Sequence, residues 1–434
     1  MSTHSRVLTP ASSAIAPVGG SVLLRRAVVT SIWILLLFRE YSNPEGPYSI
    51  LYDKALGQFR WIDLLVLSVA YVHLTVIMVA RGTVPHPPAQ VRYPLWLFCG
   101  ALAVAFGRGA LEGGSELFYE WRNIVLGFGL TIVWSYWITS AGAFQESVVS
   151  FSVVAGAKIF YTLASYVLAG GLIGAAVPGV ATPMFDGPTL SAVTFAALLG
   201  LRRLPQRWSG RTIWWAVLGL ASSFLIVMSL RRSCWVALVL GTTVTMAFRP
   251  RRLVLSGSLI VVTVAVASVS LEGSLLRRME SFSVFADRSE YGQTNQDHVG
   301  ELLDVWEQIK LQPVLGIGIG TSIKTDRIRN WKKESWEVHN AILFMWLRFG
   351  FAGVIAYLWF HAGLLRWLWT VQDSTGSEPI RTLCQVSLGF VAGHLVNGFV
   401  FSPWPYGQFQ NILLFSFIIG SVMRLNPDAP TVHA

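Results

Sequence analysis

Runs of apolar residues about as long as a bilayer is thick recur along this chain, and they restrict its fold more than any motif does. Crossing about 30 Å of hydrocarbon takes roughly twenty residues of α-helix. Candidate spans lie near 22–38, 62–80, 94–107, 123–140, 148–170, 189–201, 212–229, 233–248, 253–270, 339–365, 382–400 and 408–423. The expected fold class is all-α, a polytopic transmembrane helical bundle of about twelve spans, with 94–107 and 189–201 short enough either to be half-helices or to extend into their polar flanks. Composition agrees: 13% of the 434 residues are charged and mean hydropathy is +0.54, against about 25% charged residues in soluble domains.

The charges orient this bundle. An apolar run broken by Pro17 and Gly19-Gly20 makes a poor signal peptide, so the N-terminus is expected to be retained and cytoplasmic. The flanks then assigned to the cytoplasm hold Arg6, Arg25, Arg26, Arg81, Arg92, Arg202, Arg203, Arg207, Arg211, Arg249, Arg251, Arg252, Arg366, Arg381 and Arg424. The short outer loops hold only Arg39, Lys54, Arg60, Arg108, Arg122, Arg231 and Arg232. That asymmetry follows the positive-inside rule and leaves both termini cytoplasmic. The net charge of +10 is thereby explained as orientation, and nucleic acid is excluded as a partner. Cys99, Cys234 and Cys384 lie far apart in apolar segments, with no ligand spacing or disulfide framework; packing is their expected role.

Three regions result: 1–270 with spans one to nine, a single long outer loop at 271–338, and 339–434 with spans ten to twelve. The loop carries nine Lys/Arg and eleven Asp/Glu, and a helix-like stretch over Glu301–Leu311 ends before Pro313. Long loops in compact proteins usually carry function, so the active centre is expected where this loop re-enters the membrane, between Pro313 and Gly353. His339 opens the tenth span, and the 339–365 helix would run about 40 Å, long enough to hold its first turn above the hydrocarbon. An oriented imidazole there, beside Asn340, can act as a general base. The cations Lys324, Arg327, Arg329, Lys332 and Lys333 precede it. They read either as a solvated or lipid-contacting face or, for one or two of them, as holding a diphosphate. A cation 4 Å from a phosphate charge contributes roughly 4 kcal/mol at an effective dielectric near 20. No Asp-x-Asp pair occurs, so neither a metal nor any other cofactor is expected.

Arg231-Arg232 sits on the outer side against the topology rule, which points to a specific role. Lys158, inside the fifth span, is costly in hydrocarbon; it reads as a functional site or as paired with a neighbouring helix. Gly316, Gly318 and Gly320 follow no recognisable strand, so they read as a tight turn rather than a dinucleotide fingerprint. Glu112, Glu116 and Glu120 share a helical face and read as solvated.

With these residues in place the chain resembles the bacterial O-antigen ligase and polymerase family of polytopic inner-membrane enzymes. The matching pieces are the run Pro313 to Gly320, then His339-Asn340 with Gly350 and Gly353. Upstream, Arg232-Ser233-Cys234-Trp235 is similar to the family's arginine at a span start, and Met184 to Pro188 to its outer re-entry turn. The resemblance implies a glycosyltransferase that moves a glycan from an undecaprenyl-diphosphate-linked donor to an acceptor hydroxyl on the periplasmic side. The acceptor would be another glycan (a polymerase of exported polysaccharide, the preferred reading) or a lipid A core (an O-antigen ligase). Membrane lipids are the remaining partners. His339 would be the base; Arg231, Arg232, Arg288, His298, Glu301, Lys324, Arg327 and Asn340 would bind diphosphate or substrate. Two positions depart from the family pattern. His298 stands where arginine is common three residues before Glu301, leaving Arg288 or a protonated His298 to meet phosphate. Arg348 stands where an acid is usual. Readings from other classes are a transporter or lipid flippase, and a glycosyltransferase using Glu40, Glu45 or Asp53 as base.

Overall fold

The computed structural model describes residues 22–37, 54–56, 59–81, 86–112, 117–138, 140–168, 187–204, 209–228, 232–270, 290–327, 334–335, 338–399 and 409–425. Among them the chain is all-α apart from two short antiparallel pairs, β1 (Lys54–Leu56) with β2 (Phe59–Arg60) and β3 (Ile323–Lys324) with β4 (Glu334–Ser335). The helices are α1 (Val22–Leu37), α2 (Trp61–Arg81), α3 (Ala89–Leu111), α4 (Leu117–Trp137), α5 (Ala141–Leu168), α6 (Gly187–Arg202), α7 (Gly210–Met228), α8 (Arg232–Ala247), α9 (Pro250–Ser270), α10 (Glu290–Leu311), α11 (Ala341–Ser374), α12 (Glu378–Gly398) and α13 (Phe409–Leu425). Four stretches are long and apolar enough to cross a membrane: α3, α7, α11 and Ala141–Ala164 of α5. Several others, including α6, α8 and α13, are apolar but shorter.

The run at 94–107 is not a half-helix. It belongs to the 23-residue α3, which extends through its polar flanks Arg92 and Arg108 and carries Pro94 close to its start. By contrast α6 stays at 16 residues. The helix expected at 339–365 begins after Asn340 and continues to Ser374, so His339 precedes the helix instead of occupying its first turn. Asn340 caps it: the backbone is extended there (φ −148°, ψ 116°) and the side-chain oxygen accepts from the Leu343 amide at 2.9 Å.

Inside a membrane, lipid tails are as apolar as leucine, so helices associate by close approach and by polar contacts. Small residues do this here. A Cβ on Gly389 of α12 would lie 2.0 Å from Thr245 Oγ1 and 2.4 Å from the Gly241 carbonyl of α8, and one on Gly393 would meet the Ala237 carbonyl. These contacts run in opposite directions along the two helices, which makes α8 and α12 antiparallel. The start of α8 therefore lies at the end of the bundle where α12 finishes. That same end holds Asn340, whose Nδ2 donates to the Phe399 carbonyl at 3.0 Å. Elsewhere the core is aromatic: Trp33 of α1 contacts Trp134, Phe151 and Phe417 with ring centroids within 5.0 Å.

Lys158 is buried in α5, its ammonium 5.6 Å from the centroid of the Tyr161 ring, an arrangement that offsets part of the cost of a buried charge. Cys234 and Cys384 are packed inside, as expected, but Cys99 is exposed on the side of α3.

Gly389→Val is expected to separate α8 from α12 and to destabilise the protein by roughly 1–3 kcal/mol, read as a lower midpoint in a thermal scan in detergent. Gly100→Ala, where an added Cβ meets nothing within 4 Å, should leave the midpoint in place.

Candidate active site

The site is built on a break in α11. Gly350 has φ 68° and ψ −167° inside an otherwise helical run, which only glycine adopts without strain. A Cβ there would stand 1.9 Å from the Val314 carbonyl. The break frees the Leu347 carbonyl and the Phe351 amide, which would otherwise pair with each other. Both find partners in the segment after α10: Ile317 N donates to Leu347 O at 2.6 Å, and Phe351 N donates to the Pro313 and Val314 carbonyls at 3.2 Å. Gly318 N adds a bond to Arg348 O, and Ile319 N one to Ala105 O of α3. Gly316, Gly318 and Gly320 all have positive φ. They form a tight turn wedged between α3 and α11, with no room for a cofactor: a Cβ on Gly318 would lie 2.7 Å from Gly109 N.

Arg348, fully buried, fixes that turn through Nη1, which donates to the carbonyls of Gly318 and Thr321 and, at 2.8 Å, to Thr321 Oγ1. Trp346 Nε1 donates to the Pro313 carbonyl at 2.8 Å, and Arg108 of α3 hydrogen-bonds Gln312. The departure noted at position 348 thus has a structural role: a cation saturates the carbonyls of the turn where an acid would have left them unmatched.

α10 lies across this platform, burying Val305 and Ile309 against Phe344 and Met345. It begins at Glu290, well upstream of the stretch read from sequence, and the extra turns bring His298 into the site. Glu301, 1% exposed, accepts twice from His339: from the backbone amide at 2.8 Å and from Nδ1 at 2.7 Å. His298 Nδ1 is 3.6 Å from the same carboxylate, and its ring meets the His339 ring edge-on at 4.5 Å. One turn later Asp304 accepts from Arg327 through the backbone amide at 2.9 Å and Nη1 at 3.0 Å. Gln308 pairs with the backbone of Lys324. One polar face of α10 therefore holds the returning strand and His339 in register.

The structure thus brings together His339, Glu301, His298 and Asn340, with Arg327 on the adjacent turn. Lys324 is exposed, held only through its backbone. Arg232 starts α8 at this same end of the bundle, its side chain outside the described residues. Arg231, Arg288, Arg329, Lys332 and Lys333 lie outside them altogether. Glu301, read from sequence among the substrate-binding groups, has both oxygens engaged by His339. Sequence reading missed Asp304 and Gln308, although His298, Glu301 and Asp304 recur at intervals of three, a polar helical stripe. It also counted Arg122 only as a loop charge, whereas the side chain is buried in the second turn of α4.

A carboxylate on Nδ1 fixes the imidazole's orientation and tautomer and directs proton transfer to Nε2, the division of labour seen in serine-hydrolase triads. The three side chains also place donor atoms within 4.8 Å of one another, a set that could hold a metal ion. The 2.7 Å between His339 Nδ1 and Glu301 Oε2 is a hydrogen-bond distance.

Burial pushes the Glu301 carboxyl up, but hydrogen bonds from His298 and His339 and the charge of His339 outweigh it and hold the group at about 2, down from 4.5. A carboxyl depressed by folding stabilises the fold above its ordinary range, and that contribution drains away as pH falls toward the folded value. Glu301→Gln should therefore be less stable than the parent at neutral pH, the gap narrowing from about pH 4.5 toward about pH 2, as followed by thermal unfolding. Arg348→Met should release the glycine turn at a cost on the order of 3 kcal/mol, read as faster amide exchange over 313–325.

Residues 216–358 match the family model described as O-antigen ligase, and no curated protein matches the chain. The matched segment runs from α7 into α11 and so contains α8, α10, the glycine turn, Glu301 and His339. The resemblance carried by the motifs holds over that stretch: residues 216–358 of this membrane protein are similar to the O-antigen ligase family.

Proposed function

We propose that the chain transfers a glycan from an undecaprenyl-diphosphate carrier to a sugar hydroxyl on the outer face of a bacterial inner membrane, with His339 as general base. The observation that supports this reading is the Glu301–His339 pair, a buried carboxylate bonded to both the backbone and the ring of one histidine at the mouth of an apolar helix. In the step proposed, His339 Nε2 takes the proton of the acceptor hydroxyl. The acceptor oxygen bonds to the anomeric carbon as the carbon–oxygen bond to the carrier diphosphate breaks, and the electron pair leaves on the diphosphate. Direct displacement inverts the anomeric centre.

The leaving diphosphate needs positive charge where its own charge grows. Arg232, Arg288 and Arg327 are the groups proposed for this. Arg327 is half-exposed and already paired with Asp304, so its charge is oriented but partly spent. No metal enters the step. The polymerase reading is preferred over ligation to a lipid A core because the loop bearing His339 is compact, folded onto α10 and the glycine turn.

His339→Ala is expected to lower transfer from a lipid-linked donor by roughly 10²–10⁴-fold in purified membranes. Glu301→Gln should lower it too, because the imidazole loses the carboxylate that orients it. EDTA should leave the rate unchanged, and NMR of the product should show the opposite anomer from the donor. Full activity in His339→Ala would remove the base assignment; loss of activity with EDTA would transfer the three-residue cluster to metal chemistry. In cells, deletion that leaves single lipid-linked repeats marks a polymerase, whereas accumulated long lipid-linked chains mark a ligase.

A further inference from the structure

The strongest concentration of charge among the described residues is at the opposite end of the bundle from His339. The antiparallel packing sets this geometry. Phe399, just past the end of α12, touches Asn340, while Glu378 begins the same helix 21 residues earlier, about 30 Å away. That is the thickness of a bilayer's hydrocarbon. At the Glu378 end a cavity of about 400 Å³ is lined by Arg202, Arg203, Arg211, Arg249 and Arg252, with Glu378 as the one acid in its wall.

The cations are held by the fold. Arg202, 2% exposed, donates through Nε to the neutral Gln385 at 2.9 Å and stands 3.9 Å from Glu378. Arg252 caps α6 by donating to the Arg202 carbonyl at 2.6 Å. Arg249 pairs with Glu378 at 2.9 Å. Arg203 lies over the Trp215 ring at 5.2 Å, and its Nε is buried with no hydrogen-bond partner among the described residues. Burial, and then the charge of Arg211, push the Arg203 guanidinium below its ordinary range, with Glu378 pulling the other way. Five guanidinium groups against one carboxylate leave an excess that an oxyanion would neutralise, and an unsatisfied buried donor that it would satisfy.

We propose that this cavity binds the phosphate headgroup of an anionic phospholipid in the leaflet opposite His339. The surroundings separate a lipid from a soluble anion. Ile213 of α7, and Val254 and Leu255 of α9, are exposed apolar side chains within one turn of Arg211 and Arg252, so the cationic wall continues into surface suited to acyl chains. Basic pockets at the ends of membrane helices recognise lipid headgroups by this combination of charge and apolar flank. The site is independent of the sugar-transfer reading, since none of its residues lies at the His339 end.

The test uses the full chain reconstituted in phosphatidylcholine with a titrated fraction of phosphatidylglycerol, and counts retained phosphatidylglycerol by native mass spectrometry. The parent is expected to retain it in preference to phosphatidylcholine, and millimolar inorganic phosphate is expected to leave retention unchanged. In the double variant Arg211→Gln, Arg249→Gln, retention should weaken roughly thirtyfold, taking about 1 kcal/mol for each cation. Equal retention by the double variant overturns the proposal. Displacement by inorganic phosphate overturns it in favour of a soluble anion. Should the double variant fail to fold, the parent decides alone: equal retention of the two lipids overturns the proposal.

Discussion

A helix that stops bonding to itself inside an apolar bundle must give its backbone groups to something else, and this necessity organises the half of the molecule around His339. At Gly350 the helical pattern of α11 is interrupted. The carbonyl and amide so released are taken up by Ile317, Pro313 and Val314. The segment after α10 is thus bound as if it were part of the helix it interrupts. Irregular backbone at this depth is tolerated only where protein surrounds it, and α3, α11 and Arg348 provide that enclosure. Without the break there would be no seat for the turn, and α10 would lose the anchored segment that follows it.

On that seat the chemistry follows from burial. A carboxylate removed from water is costly unless it is hydrogen-bonded, and Glu301 meets the condition by taking both the amide and the ring of His339. The demand of the buried acid is therefore what orients the imidazole. The next acid along the face, Asp304, applies the same logic to Arg327. The polar stripe of α10 acts as a ruler whose successive marks fix a base, a cation and a strand.

Much of this was legible from the residues alone. Apolar runs gave the all-α membrane class, His339-Asn340 and the glycine triplet located the loop's return, and the absence of an upstream strand turned Gly316, Gly318 and Gly320 into a turn. Three things were not legible, each for a physical reason. The extent of α3 was left open because hydropathy falls at Arg92 and Arg108, while backbone hydrogen bonding ignores side-chain polarity. The start of α10 was hidden because a helix that rests on protein rather than lipid carries only a weak apolar stripe, and Val305 and Ile309 bury just one side. The part played by Arg348 was hidden because its partners are carbonyls from a segment about thirty residues distant, and sequence records no direction for a carbonyl.

The break at Gly350 also separates two mechanical tasks. Residues 351–374 form the rod that must fit the membrane, and rods tilt when a bilayer thickens or thins. Residues 341–349 form a stub clamped to the glycine turn and to α3. The joint between them is bonded to Pro313 and Val314 and not along the helical ladder, so rod and stub do not share a continuous run of helical hydrogen bonds. The imidazole is anchored to Glu301 on the stub's side of that joint.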